Sequence, residues 1–218
     1  MTTRTRMKDG FSRRKALRLS AFGLAVLVAG CGVTRNDWQV AYPDAVPAEQ
    51  ARSWHVTAVN VVTPQTLTTS DVNGWTPDYD IVWHGDEPGD RRAQVSALMT
   101  TAIRSATAEL KGKTPVTISV TMQQFHAITP NVEKYANFTG VHDIKFTMQV
   151  VNARTRKPLT PPTLIEANAP ALVGSKARNA RAQGYTQKQE VIEDVAKVVK
   201  GYFSLGPDPR HGFSRLGR

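Results

Sequence analysis

The sequence predicts an α+β fold: a two-layer sandwich in which two helices cover one face of a largely antiparallel, four- to five-stranded sheet. Three observations carry this prediction. Two helical segments each show one apolar stripe, two strand segments alternate strictly between apolar and polar residues, and the order runs strand, short strand, helix, strand, strand, strand, helix. Elements with a single apolar side bury it against another layer, and helices facing a sheet satisfy both.

Trp54 to Thr63 is rich in β-branched residues and closed by Pro64, which marks the first strand. Residues 64–79 carry Thr, Ser, Asp, Asn, Gly and Pro and read as a loop, after which Asp80 to His84 offers a short strand before the turn at Gly85 to Gly89. Val95, Leu98, Met99, Ala102, Ile103, Ala106 and Leu110 then recur at helical spacing, with Asp90 placed to cap the start and Gly112 to close the end. Val116, Ile118, Val120 and Met122 alternate with polar residues, as do Ile144, Phe146, Met148 and Val150, and the two segments form a natural antiparallel pair. Arg154 to Pro158 is a turn, and Thr163 to Ala169 supplies a further strand. Residues 170–185 show no clear period and read as an irregular crossing. Thr186 and Gln189 then match a capping box opening a helix whose stripe is Val191, Ile192, Val195, Val198, Val199, Tyr202 and Phe203. Gly206-Pro207-Asp208-Pro209 ends it, so residues 54–206 form the domain and 207–218 a mobile tail.

The N-terminus carries an address. Arg4, Arg6, Lys8, Arg13, Arg14, Lys15 and Arg18 precede an apolar run from Ala21 to Val28, too short to span a bilayer, and Ala29-Gly30-Cys31 follows. This string resembles the lipobox of bacterial lipoproteins, with Val28 where leucine is commonest. The resemblance implies that residues 1–30 are a signal peptide and that Cys31, the single cysteine, carries diacylglycerol and becomes the first mature residue. Ser12-Arg13-Arg14-Lys15-Ala16-Leu17 is similar to the twin-arginine export signal, with Ala16 where phenylalanine is preferred; an ordinary basic n-region is the other reading. Residues 31–53, with Pro43 and Pro47 and no sustained period, read as a lipidated tether. Gly32 is not the aspartate that retains lipoproteins at the inner membrane of enteric bacteria. The expected location is therefore the periplasmic side of the outer membrane, with the inner membrane as the alternative.

Charge is interpreted after the leader is removed. The chain has 28 basic and 18 acidic residues, a net +10. Residues 1–30 hold seven of the former and one of the latter, leaving 21 against 17, or +4. The basic balance is thus a leader property and gives no reason to expect nucleic acid as a partner. One cysteine permits no disulfide within the chain, so packing has to hold the fold.

Asp80-Ile81-Val82-Trp83-His84-Gly85, Phe125-His126-Ala127-Ile128-Thr129 and Gly140-Val141-His142-Asp143-Ile144 resemble strings of a family of uncharacterised lipoproteins of marine and phototrophic alphaproteobacteria. The element order is similar to that of small envelope lipoproteins that assist lipopolysaccharide insertion or lipid transport, with two helices on a four-stranded sheet. Neither resemblance carries an assigned activity for this chain; the reading adopted from the sequence as a whole is a lipid-anchored, non-enzymatic envelope protein acting as adaptor or as an assembly or transport accessory factor, held to the membrane through Cys31 and working with an envelope protein complex.

Candidate sites are sparse. Asp78, Asp80, His84, Asp86, Glu87 and Asp90 crowd one stretch, the only basis for a metal-dependent hydrolase. Their spacing matches no zinc or calcium motif, and turn polarity beside a helix N-terminus explains them, so no catalytic, metal or cofactor residue is assigned. His126 and His142 lie on neighbouring strands and are placed to meet across the pair. Partner binding is expected at the hairpin tip 130–140, where Val132, Tyr135 and Phe138 lack an obvious core, and at the basic residues Lys176, Arg178 and Arg181, which suit an anionic envelope lipid or glycan.

Overall fold

The structure, a computed structural model, describes residues 44–137 and 140–212. Its centre is a pair of long antiparallel strands, β4 (Thr114–His126) and β5 (Val141–Asn152), with Val116 opposite Asn152 and His126 opposite Asp143. Alternation drives Val116, Ile118, Val120 and Met122 of β4, and Ile144, Phe146, Met148 and Val150 of β5, into one buried face, while the intervening polar residues keep contact with water. A register shift between Met122 and Gln124 lets β4 return Phe125 to the same face, so the strand stays on the core for its full length.

Each outer edge of that pair is shared by two shorter strands. On β4, β1 (Trp54–Val62) pairs with Thr114 to Thr121 and β3 (Ile81–Val82) with Phe125 and His126; β2 (Thr69–Ser70) pairs with β3. On β5, β6 (Thr163–Glu166) pairs with Lys145 to Met148 and β7 (Ala169–Pro170) with Val141 and His142. The sheet is mixed, with seven strands, and corrects the largely antiparallel, four- to five-stranded expectation: β1, β2 and β3 run parallel to their neighbours. The reason is the crossover. Helix α2 (Arg91–Thr107) lies between β1 and β4, and a connection of that length carries the chain back to start β4 beside the start of β1.

The helix count also exceeds two. α2 and α5 (Gln187–Tyr202) are the expected pair, and their stripes bury Val95, Leu98, Met99, Ile103, Val191, Val195, Val199 and Tyr202 against the sheet. Asp90 accepts from the backbone N–H of Arg92 and Ala93, and Thr186 and Gln189 form the capping box. Three short helices were not legible: α1 (Ala48–Arg52), α3 (Pro130–Tyr135) and α4 (Gly174–Ala182), which occupies the stretch expected to be irregular. Gly112 does not close α2, which stops at Thr107. A Cβ there would stand 2.0 Å from the Ser53 carbonyl carbon, so glycine serves the close approach to the start of β1.

Both ends of the domain extend further than the sequence suggests. Val46 is buried, donating its N–H to Tyr202 O and accepting from Ser204 Oγ, so residues 44–53 are part of the folded unit and not of the tether. At the other terminus, expected as a tail from 207, Asp208 is buried beneath a 3₁₀ turn at Pro209–Gly212 and accepts from Arg210 at 2.7 Å.

Val195 is fully buried between α5 and the sheet. Val195→Asp forces an unpaired carboxylate into that layer at a cost of several kcal/mol, comparable with the roughly 5–15 kcal/mol of a whole domain. The variant is expected to lose its cooperative thermal transition; an unchanged melting temperature would contradict the packing described.

Candidate functional site

The end of the sheet where β4 finishes is built from three segments that the sequence leaves far apart. After β4, Ala127 to Thr129 lead into α3, whose first residue is proline and whose cap is Thr129: its hydroxyl accepts from Val132 N and donates to Gly74 O at 2.7 Å. Asn131 binds the same loop, with its N–H donating to Asn73 Oδ1 and its side-chain amide donating to Asn73 O. The loop before β3 is thereby pinned over the end of the sheet. His126 Nε2 donates to the Tyr79 carbonyl at 2.6 Å and holds the loop's other side.

Between loop and sheet end lies a cleft of about 320 Å³, lined chiefly by Trp75, Pro77, Val82, Ile128, Val132 and Val141, with His126 and Thr129 as its polar margin. Trp75 is 62% exposed, so aromatic surface faces water at its rim, and Tyr79, whose carbonyl accepts from His126, is 43% exposed in the same loop. Its floor includes Ile128 and Val132, which belong to a second small core, separate from the main one, with Ala136, Ala171 and Val173 behind them.

A buried charge network fixes this floor. Glu190, in the first turn of α5, is 0% exposed, and its carboxylate accepts from Leu172 N at 2.7 Å and from Arg181 at 2.9 Å. His142 of β5 stands 3.8 Å from the same carboxylate, within charge-pair range and beyond a hydrogen bond. Arg181 of α4 also reaches Glu133 of α3 at 2.6 Å, and Gln187 donates to Ile128 O. Four elements, α3, α4, α5 and β5, are thus joined through two carboxylates and one guanidinium. Burial alone would push the Glu190 carboxyl up, but His142, the Leu172 N–H and Arg181 together draw it down to about 2.

A family model matches residues 54–218, beginning where β1 begins. The chain belongs to the family of unknown function DUF6778. No curated protein matches it. Among solved structures it is similar to a candidate lipoprotein from Caulobacter crescentus CB15, at 10% identity over 72% of this chain and 93% of that one, with a TM-score of 0.33. It is also similar to protein XCC0632 from Xanthomonas campestris, of the family DUF330, at 9% identity over 72% and 87%, with a TM-score of 0.36. Likeness at that level carries no functional argument.

In this DUF6778 domain the expected site residues disperse. Cys31 and Phe138 lie outside the described residues. Val132 is not an unsupported tip residue: α3 folds it back into the second core, where it is 9% exposed and lines the cleft. Tyr135 is on the surface at 56%, with Lys134 Nζ 4.8 Å over its ring. Lys176 and Arg178 are exposed on α4, but Arg181, grouped with them in sequence, turns inward to Glu133 and Glu190 and offers no free charge for an anionic ligand. Lys188 pairs with Asp86 at 2.6 Å.

The acidic stretch does not converge either. Asp80 accepts from Thr68 N and Oγ1, which hold its carboxyl below the usual range. Asp86 resists the upward push of burial because Lys188 and Trp83 Nε1 donate to it, and Asp90 caps α2. Among the described residues no group of three or more His, Cys, Asp or Glu side chains could hold a metal ion. His126 and His142 do not meet: His126 pairs with Asp143, so the pleat sends the two imidazoles to opposite faces. Sequence reasoning missed Glu190 and Trp75. An aromatic residue within a polar loop was a usable signal for Trp75; Glu190 gave none, since its partners lie in three other segments.

Linkage gives the network a pH signature. The Glu190 pKa is depressed from 4.5 to about 2, so its stabilisation is complete above pH 4.5 and is lost as pH falls from there toward 2. Glu190→Gln is therefore expected to be less stable than the parent at pH 7, with the gap closing between pH 4.5 and 2 in denaturant unfolding. A gap independent of pH would contradict the assignment.

Proposed function

We propose that the protein is a lipid-anchored, non-enzymatic adaptor of the bacterial envelope, tethered through Cys31 and receiving an apolar group of its partner in the cleft beneath Trp75. The cleft is the observation that carries this reading. A preformed apolar hollow with a few polar groups at its margin is the form ligand sites take, and an exposed aromatic residue at the rim is a usual anchor of an interface. The polar groups around it, Thr129, Asn131 and His126, spend their hydrogen bonds on the loop backbone and on Asn73, which suits holding and not turnover.

The anchoring half of the proposal rests on the string Leu27-Val28-Ala29-Gly30-Cys31 behind a basic leader. Among the described residues no helix is long and apolar enough to cross a membrane. Two acyl chains or more give stable attachment where one does not, and a tether raises the local concentration so that modest affinity suffices. The outer membrane, periplasmic face, is the favoured location. Tyr135 extends the proposed contact surface along α3. The reading of the basic segment as a lipid or glycan site is weaker, because Arg181 is already committed to two carboxylates.

One experiment in cells tests both halves. A photo-crosslinking residue at position 75 is expected to give a discrete adduct, one at Leu164, an exposed residue on β6, is not, and Cys31→Ser is expected to abolish palmitate labelling and reduce the adduct. Equal crosslinking from positions 75 and 164 would remove the cleft from the proposal; persistent palmitate on Cys31→Ser would remove the anchor.

A further inference from the structure

The cleft and the tether junction lie at opposite ends of the domain. Residues 44–53 pack where β4 begins: Thr114 N donates to Ser53 O, and Val46 N to Tyr202 O at the end of α5. The cleft lies where β4 ends, at His126 to Val132, and where α5 begins, with Gln187 donating to Ile128 O. Thirteen residues of β4 separate the ends, about 40 Å at roughly 3.3 Å per residue.

The stretch that supplies one wall of the cleft is electrically distinct from the rest of the chain, while α3 on another side carries Lys134. Between Arg52 and Arg91 there is no Lys or Arg, and the same stretch carries Asp71, Asp78, Asp80, Asp86, Glu87 and Asp90. This stretch supplies β3, the loop over the cleft and Trp75. Asp86 is matched by Lys188 and Asp90 caps α2, but Asp71, Asp78 and Glu87 stay exposed, with Asp78 between Pro77 of the cleft wall and Tyr79 of the same loop. Asp71 is bound to Arg91 yet remains 64% open to water. Carboxylates interleaved with open indole and phenol faces attract a cation twice, by charge and through the ring.

We infer that the cleft takes an apolar side chain from a Lys- or Arg-bearing segment of a partner protein. The inference rests on the adaptor reading and specifies the partner's chemistry. A hollow of about 320 Å³ is at the small end for ligand sites and accepts one large side chain. An anionic phospholipid surface is disfavoured by the exposed carboxylates of the loop that forms this wall. Basic residues flanking the inserted side chain face Asp78 and its neighbours, and complementary charge both steers the encounter and rejects acidic segments.

The test uses the full chain in neutral phosphatidylcholine nanodiscs and two fluorescein-labelled peptides, Gly-Lys-Lys-Phe-Leu-Lys-Lys-Gly and its counterpart with Glu in place of every Lys, read by fluorescence anisotropy. The basic peptide is expected to bind at least tenfold tighter than the acidic one. Binding should weaken about tenfold in Trp75→Ala and several-fold in Asp78→Lys, both surface changes whose folding is checked by thermal melts, and without peptide the loaded nanodiscs should show no Trp75-dependent co-flotation with phosphatidylglycerol vesicles. Equal binding of the two peptides, indifference to Trp75→Ala, or co-flotation with the vesicles that Trp75→Ala abolishes overturns the inference. If neither peptide binds while crosslinks from position 75 persist in cells, the partner chemistry is wrong and the adaptor reading survives.

Discussion

Glu190 is a carboxylate buried without exposure at the start of the last helix, and the far end of the domain is arranged around neutralising it. An isolated charge in such a place costs several kcal/mol or more, so the neighbouring chain has to supply donors. Leu172 brings a backbone N–H, Arg181 a guanidinium and His142 an imidazole, and Arg181 in turn holds Glu133. Each partner comes from a different element. A group that would be a liability alone becomes the tie that gives α3 and α4 fixed places, although both helices are too short to be stable by themselves.

The cleft inherits its shape from that tie. Its floor includes Ile128 and Val132 of the small core they form with Ala136, Ala171 and Val173, which draws residues from α3 and from the segment entering α4. Five small or medium apolar side chains bury little area, so this core depends on the charge network beside it for its definition. The main core has no such dependence. Two long helices on a continuous face of β4 and β5 supply ample burial, with Trp54, Tyr202 and Phe203 in edge-to-face contacts at the tether end. The main core and the cleft are therefore separated along the length of β4.

That separation also explains what was legible in the sequence. Periodicity revealed both stripes, both alternating strands and both caps, because each is a local pattern whose period reflects one buried side. Parallel pairing of β1 escaped, since a strand's residues do not record the direction of its neighbour. α3 and α4 escaped because Ile128 to Ala136 and Ala171 to Ala177 have too few apolar residues to show a period. Arg181 looked like one of a basic group with Lys176 and Arg178 because sequence proximity hides that it points to Glu190, nine residues on, and to Glu133, 48 residues back. Val132 looked unsupported for the same reason.

The central claim is that the Glu190 network holds the cleft end as a unit distinct from the main core. Hydrogen exchange of the full chain, comparing the parent with Glu190→Gln at pH 7, tests it most directly. Protection is expected to fall in Pro130–Tyr135 and Gly174–Ala182 while Arg91–Thr107 and the first part of β4 keep theirs. Unchanged exchange in α3 and α4, or a loss spread evenly over the domain, would contradict it.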